Sequence, residues 1–443
     1  MTERKNNPFS PGGIVKTSLF GGRHQYIIQI LKKLASVKSG KPSSFYLFGE
    51  RGIGKTALAK LISFISTSNN KDFYDLDFLV SYYSAQQHQS FKSILESSLN
   101  NIADQIDEPL LTKIGSRLGK VFEKGKFSIG AFGISAGYET KLNISPETLI
   151  VKDQVVSILR NIINQVKENP MDGNIKNGIL FIIDEMDNID DIGIAASIIR
   201  GITTELDFED LGYLSFLLIG YESSYEMFVK GDESIRRLLD SIHLTEMPEN
   251  EVIETFEKGF NDAIIAWDKE VLRKNVWLTG GYPLAIQVLG YHLIELDTDN
   301  YIRENDWVES ISKGSIELID KEFSSYYSFR TRQKKNTDKL LISLAIASIN
   351  CDSLSLRDIE KLSEVKNPSQ YVKQLLKNGV VTRDKLTNEY RIKRGLLRTS
   401  IILDLKDTFP EEFRDKFSKI NDIAKEIAER KTNKKSDGSD SLR

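Results

Sequence analysis

The chain has 443 residues, 40% of them hydrophobic, and its 60 lysines and arginines nearly cancel 63 aspartates and glutamates to leave a formal net charge of -3. That length accommodates about three domains with real cores, and the charge balance excludes a global basic field, so any nucleic-acid surface is local. The single cysteine, Cys351, excludes an internal disulfide, the four histidines (His24, His88, His243, His292) form no metal-ligand spacing, and the lack of a leader-like or membrane-length apolar run reads as a cytoplasmic protein with no membrane association.

Residues 6–13 (NNPFSPGG) are too rich in proline and glycine for helix or central strand and are expected to lie extended over a domain surface. Tyr26, Ile27, Ile30, Leu31 and Leu34 then mark an amphipathic helix. The next segment, residues 45–56 (FYLFGERGIGKT), is an apolar run stopped by Gly49 and followed by G-x-x-x-x-G-K-T and a helix-forming run. Glycines let the backbone fold around an anion, so that successive N–H groups and the helix N-terminus face phosphates. The motif assigns Gly49, Gly52, Ile53, Gly54, Lys55, Thr56 and Ala57 to ATP or ADP, with Lys55 reaching the β- and γ-phosphates and the Thr56 hydroxyl on Mg2+.

A second buried strand is predicted over residues 77–82 and a helix over 91–102. In residues 125–141 (GKFSIGAFGISAGYETK), apolar residues alternate roughly with glycines, which suggests a hairpin insertion lying on its own domain. An amphipathic helix over 150–168 precedes residues 178–185 (GILFIIDE), a near-continuous apolar run ending in two carboxylates, as expected of a central parallel strand. Placed beside the P-loop strand, Asp184 would lie near the metal and Glu185 near the γ-phosphate, where a carboxylate can take a proton from attacking water. Asp187, Asp190 and Asp191 read as loop and helix-cap residues. A helix over 192–205 and strands at 213–219 and 241–244 complete an alternation that argues for an α/β fold with a doubly wound parallel sheet.

From residue 249 the pattern is helical, over 249–263, 269–278, 284–295 and 306–323, with no strand between. Residues 338–348, 355–362 and 368–378 form three further helices, followed by strands at 380–382 and 390–392, which is the layout of a winged helix. Over residues 331–400 fifteen cations face seven acids; Lys366, Lys373 and Lys377 fall on or before the third helix, and Arg383 and Lys385 near the wing tip, as candidate DNA contacts. From residue 431 the sequence KTNKKSDGSDSLR is almost without apolar residues and is expected to be disordered. The expected domains are an ATPase core (1–248), a helical lid (249–330), a winged helix (331–405) and a C-terminal helix with a tail (406–443).

Leu19 to Arg23 (LFGGR), GERGIGKT, FIIDE, Ser234 to Leu239 (SIRRLL) and Gly280 to Ala285 (GGYPLA) together resemble AAA+-related P-loop ATPases of the origin-recognition (archaeal ATPase) and STAND families. The resemblance implies an ASCE/AAA+-like sheet of order 5-1-4-3-2 followed by a helical lid and winged helix, and a slow ATPase. It further implies that Phe20, Gly22 and Arg23 line the base and ribose, that Pro283 lies against adenine, and that Arg236 or Arg237 meets the γ-phosphate in cis or from a neighbour. The sensor position after the fourth strand reads Gly220, Tyr221, Glu222, Ser223, where the similar families often place Asn, Thr or Arg. The function these features predict is an ATP-driven switch that binds DNA and forms a nucleotide-dependent homo-oligomer. The alternative is a STAND-like signalling or antiviral-defence ATPase that assembles with a partner effector protein and whose winged helix is structural.

Overall fold

The computed structural model describes residues 7–11, 21–68, 74–118, 121–123, 126–129, 146–171, 174–322, 335–348, 350–351, 353–377, 380–384, 387–392, 401–402 and 410–439. The chain divides into two compact units, one of Lys16–Thr245 and one of Glu246–Arg443 together with Met1–Val15. Among the described residues no helix is long and apolar enough to cross a membrane.

The first unit runs α1 (His24–Lys38), β1 (Ser44–Gly49), α2 (Lys55–Ser66), β2 (Leu79–Ser84), α3 (Phe91–Ala103), α4 (Glu108–Leu118), the short pair β3 (Phe122–Glu123) and β4 (Lys126–Phe127), and α5 (Pro146–Glu168). It continues with β5 (Ile179–Asp184), α6 (Ile192–Phe208), β6 (Leu214–Gly220), α7 (Glu222–Gly231) and β7 (Leu239–Leu244). Five strands form one parallel sheet in the order β2-β5-β6-β1-β7. Numbered within that sheet alone, this is 2-3-4-1-5, the order implied by the resemblance.

Every residue of β1, β5 and β6 is buried, because helices cover both faces of the central strands; this is why each reads as an apolar run without alternation. Phe181 and Phe216 stack across neighbouring strands with ring centroids 5.3 Å apart, inside a core that α3, α5 and α6 close with Leu95, Leu99, Ile158, Ile162, Ile199 and Ile202. Register brings the C-terminal ends to one edge: Ser84 opposite Asp184, Phe48 opposite Gly220, Gly49 opposite Leu244. The helix α4 carries its own apolar face, with Ile114 and Leu118 buried, and was not expected from the sequence. Most of the hairpin expected over residues 125–141 lies outside the described residues. Its beginning rests on its own unit, where Asn100 pairs with the backbone of Phe127 in both directions, at 2.8 and 3.1 Å.

The second unit opens with α8 (Glu249–Asp262), β8 (Ala266–Trp267), α9 (Lys269–Thr279), α10 (Pro283–Leu296), β9 (Tyr301–Ile302) and α11 (Glu304–Glu322). The pairing of β8 with β9 corrects the expectation of helix alone. Residues 7–11 belong to this unit rather than spreading over a surface. Phe9 is buried against Phe256 and Phe260, and a Cβ at Gly259 or Gly290 would collide with its ring. Asn7 donates to the Tyr291 carbonyl at 3.0 Å, and the Ser10 amide donates to Gln287 at 2.8 Å.

Helices Lys335–Ala347, Leu356–Ser363 and Ser369–Lys377 then precede the antiparallel strands Val381–Arg383 and Tyr390–Ile392, with a further bridge from Leu354 to Tyr390. Ser355 and Asp358 form a capping box that starts the second of these helices. The segment expected to be disordered is instead helical through Ser439, in a helix spanning Pro410–Ser439. Ile420, Ala424 and Ile427 bury its inner face, and Arg430 and Lys431 tie it to Asp358 and Glu389 at 2.7 Å each. Cys351 is buried, its thiol directed to the Ala424 carbonyl.

Candidate active site

The strand β1 ends at Gly49 and the chain turns through Gly52 (φ 74°) and Gly54 (φ 92°), the left-handed N-cap of α2. Side chains rarely adopt those angles, so glycine there lets the loop close tightly over the start of α2. Ile53 is buried beneath the loop and Ala57 lies half-buried in the first turn of α2. Lys55 curls back, its Nζ donating to the carbonyls of Gly49 and Glu50 at 2.9 Å each, and lies 4.6 Å from the centroid of the Tyr221 ring. Thr56 Oγ1 donates to Asp184 Oδ2 at 2.8 Å, joining two stretches 128 residues apart in sequence. The P-loop and the acidic end of β5 are therefore one site.

Asp184 is 5% exposed and accepts from three sides: Thr56 and the Tyr82 hydroxyl (2.7 Å) on Oδ2, and the Glu185 amide (2.9 Å) on Oδ1. Glu185 adopts a left-handed φ of 60°, which turns its side chain out of the strand line, and its Oε2 accepts from Asn188 Nδ2 at 3.0 Å. Partial burial, with the charges of Asp184 and Asp187 added, raises its carboxyl above the usual glutamate range, while hydrogen bonds from Ser84 and Asn188 work the other way. Burial likewise raises Asp187, against the opposing charge of Lys55. The third acid, read from sequence as a loop or helix-cap residue, lies in the short 3-10 turn Met186–Asn188 that follows β5. Asn188 also donates to the Ala85 carbonyl at 3.0 Å, so the loops after β2 and β5 are stitched together around Glu185.

Arg23 is 3% exposed and donates to the carbonyls of Thr245 (2.6 Å) and Ile53 (3.0 Å). It buttresses the P-loop from behind; Phe20, its expected companion, lies outside the described residues. Arg236 and Arg237 are exposed, just before β7. Because Leu239 pairs with Ser44 while Leu244 pairs with Gly49, those arginines lie at the sheet edge opposite the P-loop, about 16 Å away along a strand of this length. Pro283 is the first residue of α10, in the second unit, after a turn in which the Met247 amide donates to the Gly281 carbonyl at 2.9 Å. Lys366, Lys373, Lys377 and Arg383 are exposed in that unit, with Arg383 donating to Asn388 at 2.9 Å; Lys385 lies outside the described residues.

The oxygen donors of Thr56 and Asp184 suit a hard divalent cation. Among the described residues no group of three or more His, Cys, Asp or Glu side chains could hold a metal, so such a cation would draw its other ligands from phosphate and water, as Mg2+ characteristically does. Sequence reading missed Tyr82 and Asn188, which carry no motif, read Asp187 only as a loop or helix-cap residue, and named Tyr221 at the sensor position without its contact to Lys55.

The sheet order, the P-loop and the paired acids give this unit the architecture of a P-loop NTPase. Residues 23–218 match the KAP family P-loop domain, to which this part of the chain is similar. No curated protein matches the chain. Among solved structures, the Walker-type ATPase PABY2304 of Pyrococcus abyssi is 14% identical, with a TM-score of 0.49, and the match covers 86% of this chain and 96% of that one. The Cdc6p of Pyrobaculum aerophilum is 14% identical at a TM-score of 0.45, covering 95% and 98%. The ORC2 protein of Aeropyrum pernix, in ADPNP–ADP complexes, is 14% identical at 0.41, covering 90% and 98%.

Proposed function

We propose that this protein is an ATP-driven molecular switch that binds ATP with Mg2+ at the P-loop, hydrolyses it slowly and binds DNA through its winged helix. The contact of Thr56 with Asp184 carries the nucleotide half of this reading, since it joins a phosphate loop to an acidic strand end. On that reading Gly52 and Gly54 bring backbone N–H groups to the phosphates, with Lys55 exchanging its carbonyl acceptors for phosphate oxygens. Thr56 and Asp184 would hold Mg2+, whose charge offsets that of the phosphates. Glu185, with its raised carboxyl, accepts the proton of the attacking water.

Two features support slow turnover. The sensor position offers the ring of Tyr221, and Arg236 and Arg237 belong to the far edge of the sheet, from which an arginine acts only on a neighbouring copy. The exposed cations of Ser369–Lys377 support the DNA half. A second reading, a signalling ATPase that moves a partner effector protein, is favoured by the Gly280-Gly281-Tyr282-Pro283 turn, which is more STAND-like than initiator-like.

Lysine and glutamate have separable jobs here. Lys55→Ala should abolish ATP binding, whereas Glu185→Gln should keep ATP bound and lower turnover by about 100-fold or more. Equilibrium binding of labelled ATP beside single-turnover hydrolysis checks both, and equal loss of binding in the two variants would remove Glu185 from the role of base.

A further inference from the structure

Tyr82 supports an additional assignment, which rests on the P-loop reading above. It sits on β2 opposite Ile182, and Asp184 lies two residues beyond Ile182, so phenol and carboxylate share one face of the sheet. Its hydroxyl and that of Thr56 donate to the same oxygen, Asp184 Oδ2, at 2.7 and 2.8 Å, while Glu185 N–H holds Oδ1. Three donors of fixed direction leave the carboxylate no freedom to rotate, and hydrogen bonds to a charged acceptor are the strong ones. Each hydroxyl has one proton, already placed on Asp184, so only the lone pairs of both oxygens remain to face a ligand. The Lys60 ammonium, 5.4 Å from the ring centroid, lies against the same ring.

We propose that Tyr82 is a positioning residue of the divalent-cation site: it fixes Asp184 so that Thr56 keeps its proton on the carboxylate and turns its lone pairs to the cation. The lone pairs of the phenolic oxygen would be free to accept a hydrogen bond from water held by such a cation. A partner of this kind, one step removed from the metal, typically changes metal affinity by about 10- to 100-fold when lost.

Tyr82→Phe deletes one oxygen and keeps the ring. ADP binding by the full chain is measured by calorimetry in EDTA, and Mn2+ binding to the ADP-loaded protein by the loss of its free EPR signal. The expected result is an unchanged ADP affinity in EDTA with Mn2+ bound about tenfold more weakly. Equal Mn2+ affinity in the two proteins overturns the assignment and leaves the P-loop reading standing. Loss confined to ADP binding in EDTA makes Tyr82 structural and also overturns it. A wild-type protein that binds no ADP in either buffer removes the P-loop reading itself, and the assignment with it.

Discussion

The ammonium of Lys55 is held from two sides, by the Gly49 and Glu50 carbonyls and by the face of the Tyr221 ring. A cation over an aromatic face is stabilised by about 0.5–1 kcal/mol where partly exposed, and the ring also keeps the long side chain aimed over the loop. Tyr221→Ala should therefore weaken ATP binding about two- to fivefold, and Tyr221→Phe, which retains the ring, should leave it unchanged. A fluorescent-nucleotide titration of both variants checks this; a loss in the phenylalanine variant would assign the effect to the hydroxyl. Lys55, Thr56 and Asp184 were legible in the sequence because a phosphate loop and an apolar strand ending in acids are local patterns. Tyr82 and the contact of Tyr221 with Lys55 were not, because what brings them together is the register of strands far apart in the chain.

Elements are where local pattern and tertiary contact part company. The strands β1, β5 and β6 could be read from their apolar runs, because a strand covered on both faces has no polar residue to interrupt it. The burial of Phe9 could not, since its pocket depends on Gly259 and Gly290, whose significance is invisible until their helices meet. The C-terminal helix was misread for a related reason: the partners of Arg430 and Lys431, Asp358 and Glu389, lie 72 and 42 residues away in sequence. Burial alone would raise those two carboxyls, but hydrogen bonds from Ser355 and Arg430 hold Asp358 below the usual range, and those from Lys431 and Ser353 do so for Glu389. Depressed folded values mean that their stabilisation is fully present above the unfolded carboxylate range, near pH 4, and is lost as pH falls through the lower folded values. Docking of Pro410–Ser439 should thus weaken below about pH 4, and Arg430→Met with Lys431→Met should remove that part of the acid sensitivity. Hydrogen exchange of the helix between pH 7 and pH 3, corrected for intrinsic rates, measures it, and an unaltered pH dependence in the double variant would refute the link.

At the scale of the whole molecule a net charge of -3 conceals a strongly uneven distribution, and two intermolecular predictions follow from where the cations lie. Arg236 and Arg237 are on the sheet edge away from the P-loop, so the proposed reading has them assist the site of a second copy. Specific ATPase activity should rise with protein concentration and fall about 1000-fold or more when both become alanine, as loss of a transition-state cation does. A rate independent of concentration, with wild-type turnover in the double variant, would reject that role. The DNA prediction rests on the second unit. On Ser369–Lys377, Val372 and Leu375 face inward while Ser369, Gln370, Lys373 and Lys377 are exposed, with Lys366 just before the helix and Arg383 on the first strand of the wing. Among the described residues the Pro410–Ser439 helix is tied to Asp358, Glu389, Lys361, Glu364 and the region of Cys351, and not to those cations. Contacts to phosphate release counterions, so affinity for duplex DNA should fall steeply with salt. Reversing Lys373, Lys377 and Arg383 to glutamate should weaken binding on every sequence and flatten the slope of log affinity against log salt by about three contacts' worth. Fluorescence anisotropy with ATP present, from 50 to about 200 mM salt, gives both quantities. Absence of DNA binding at the lowest salt, or binding that ignores the triple reversal, would transfer the switch to a protein partner.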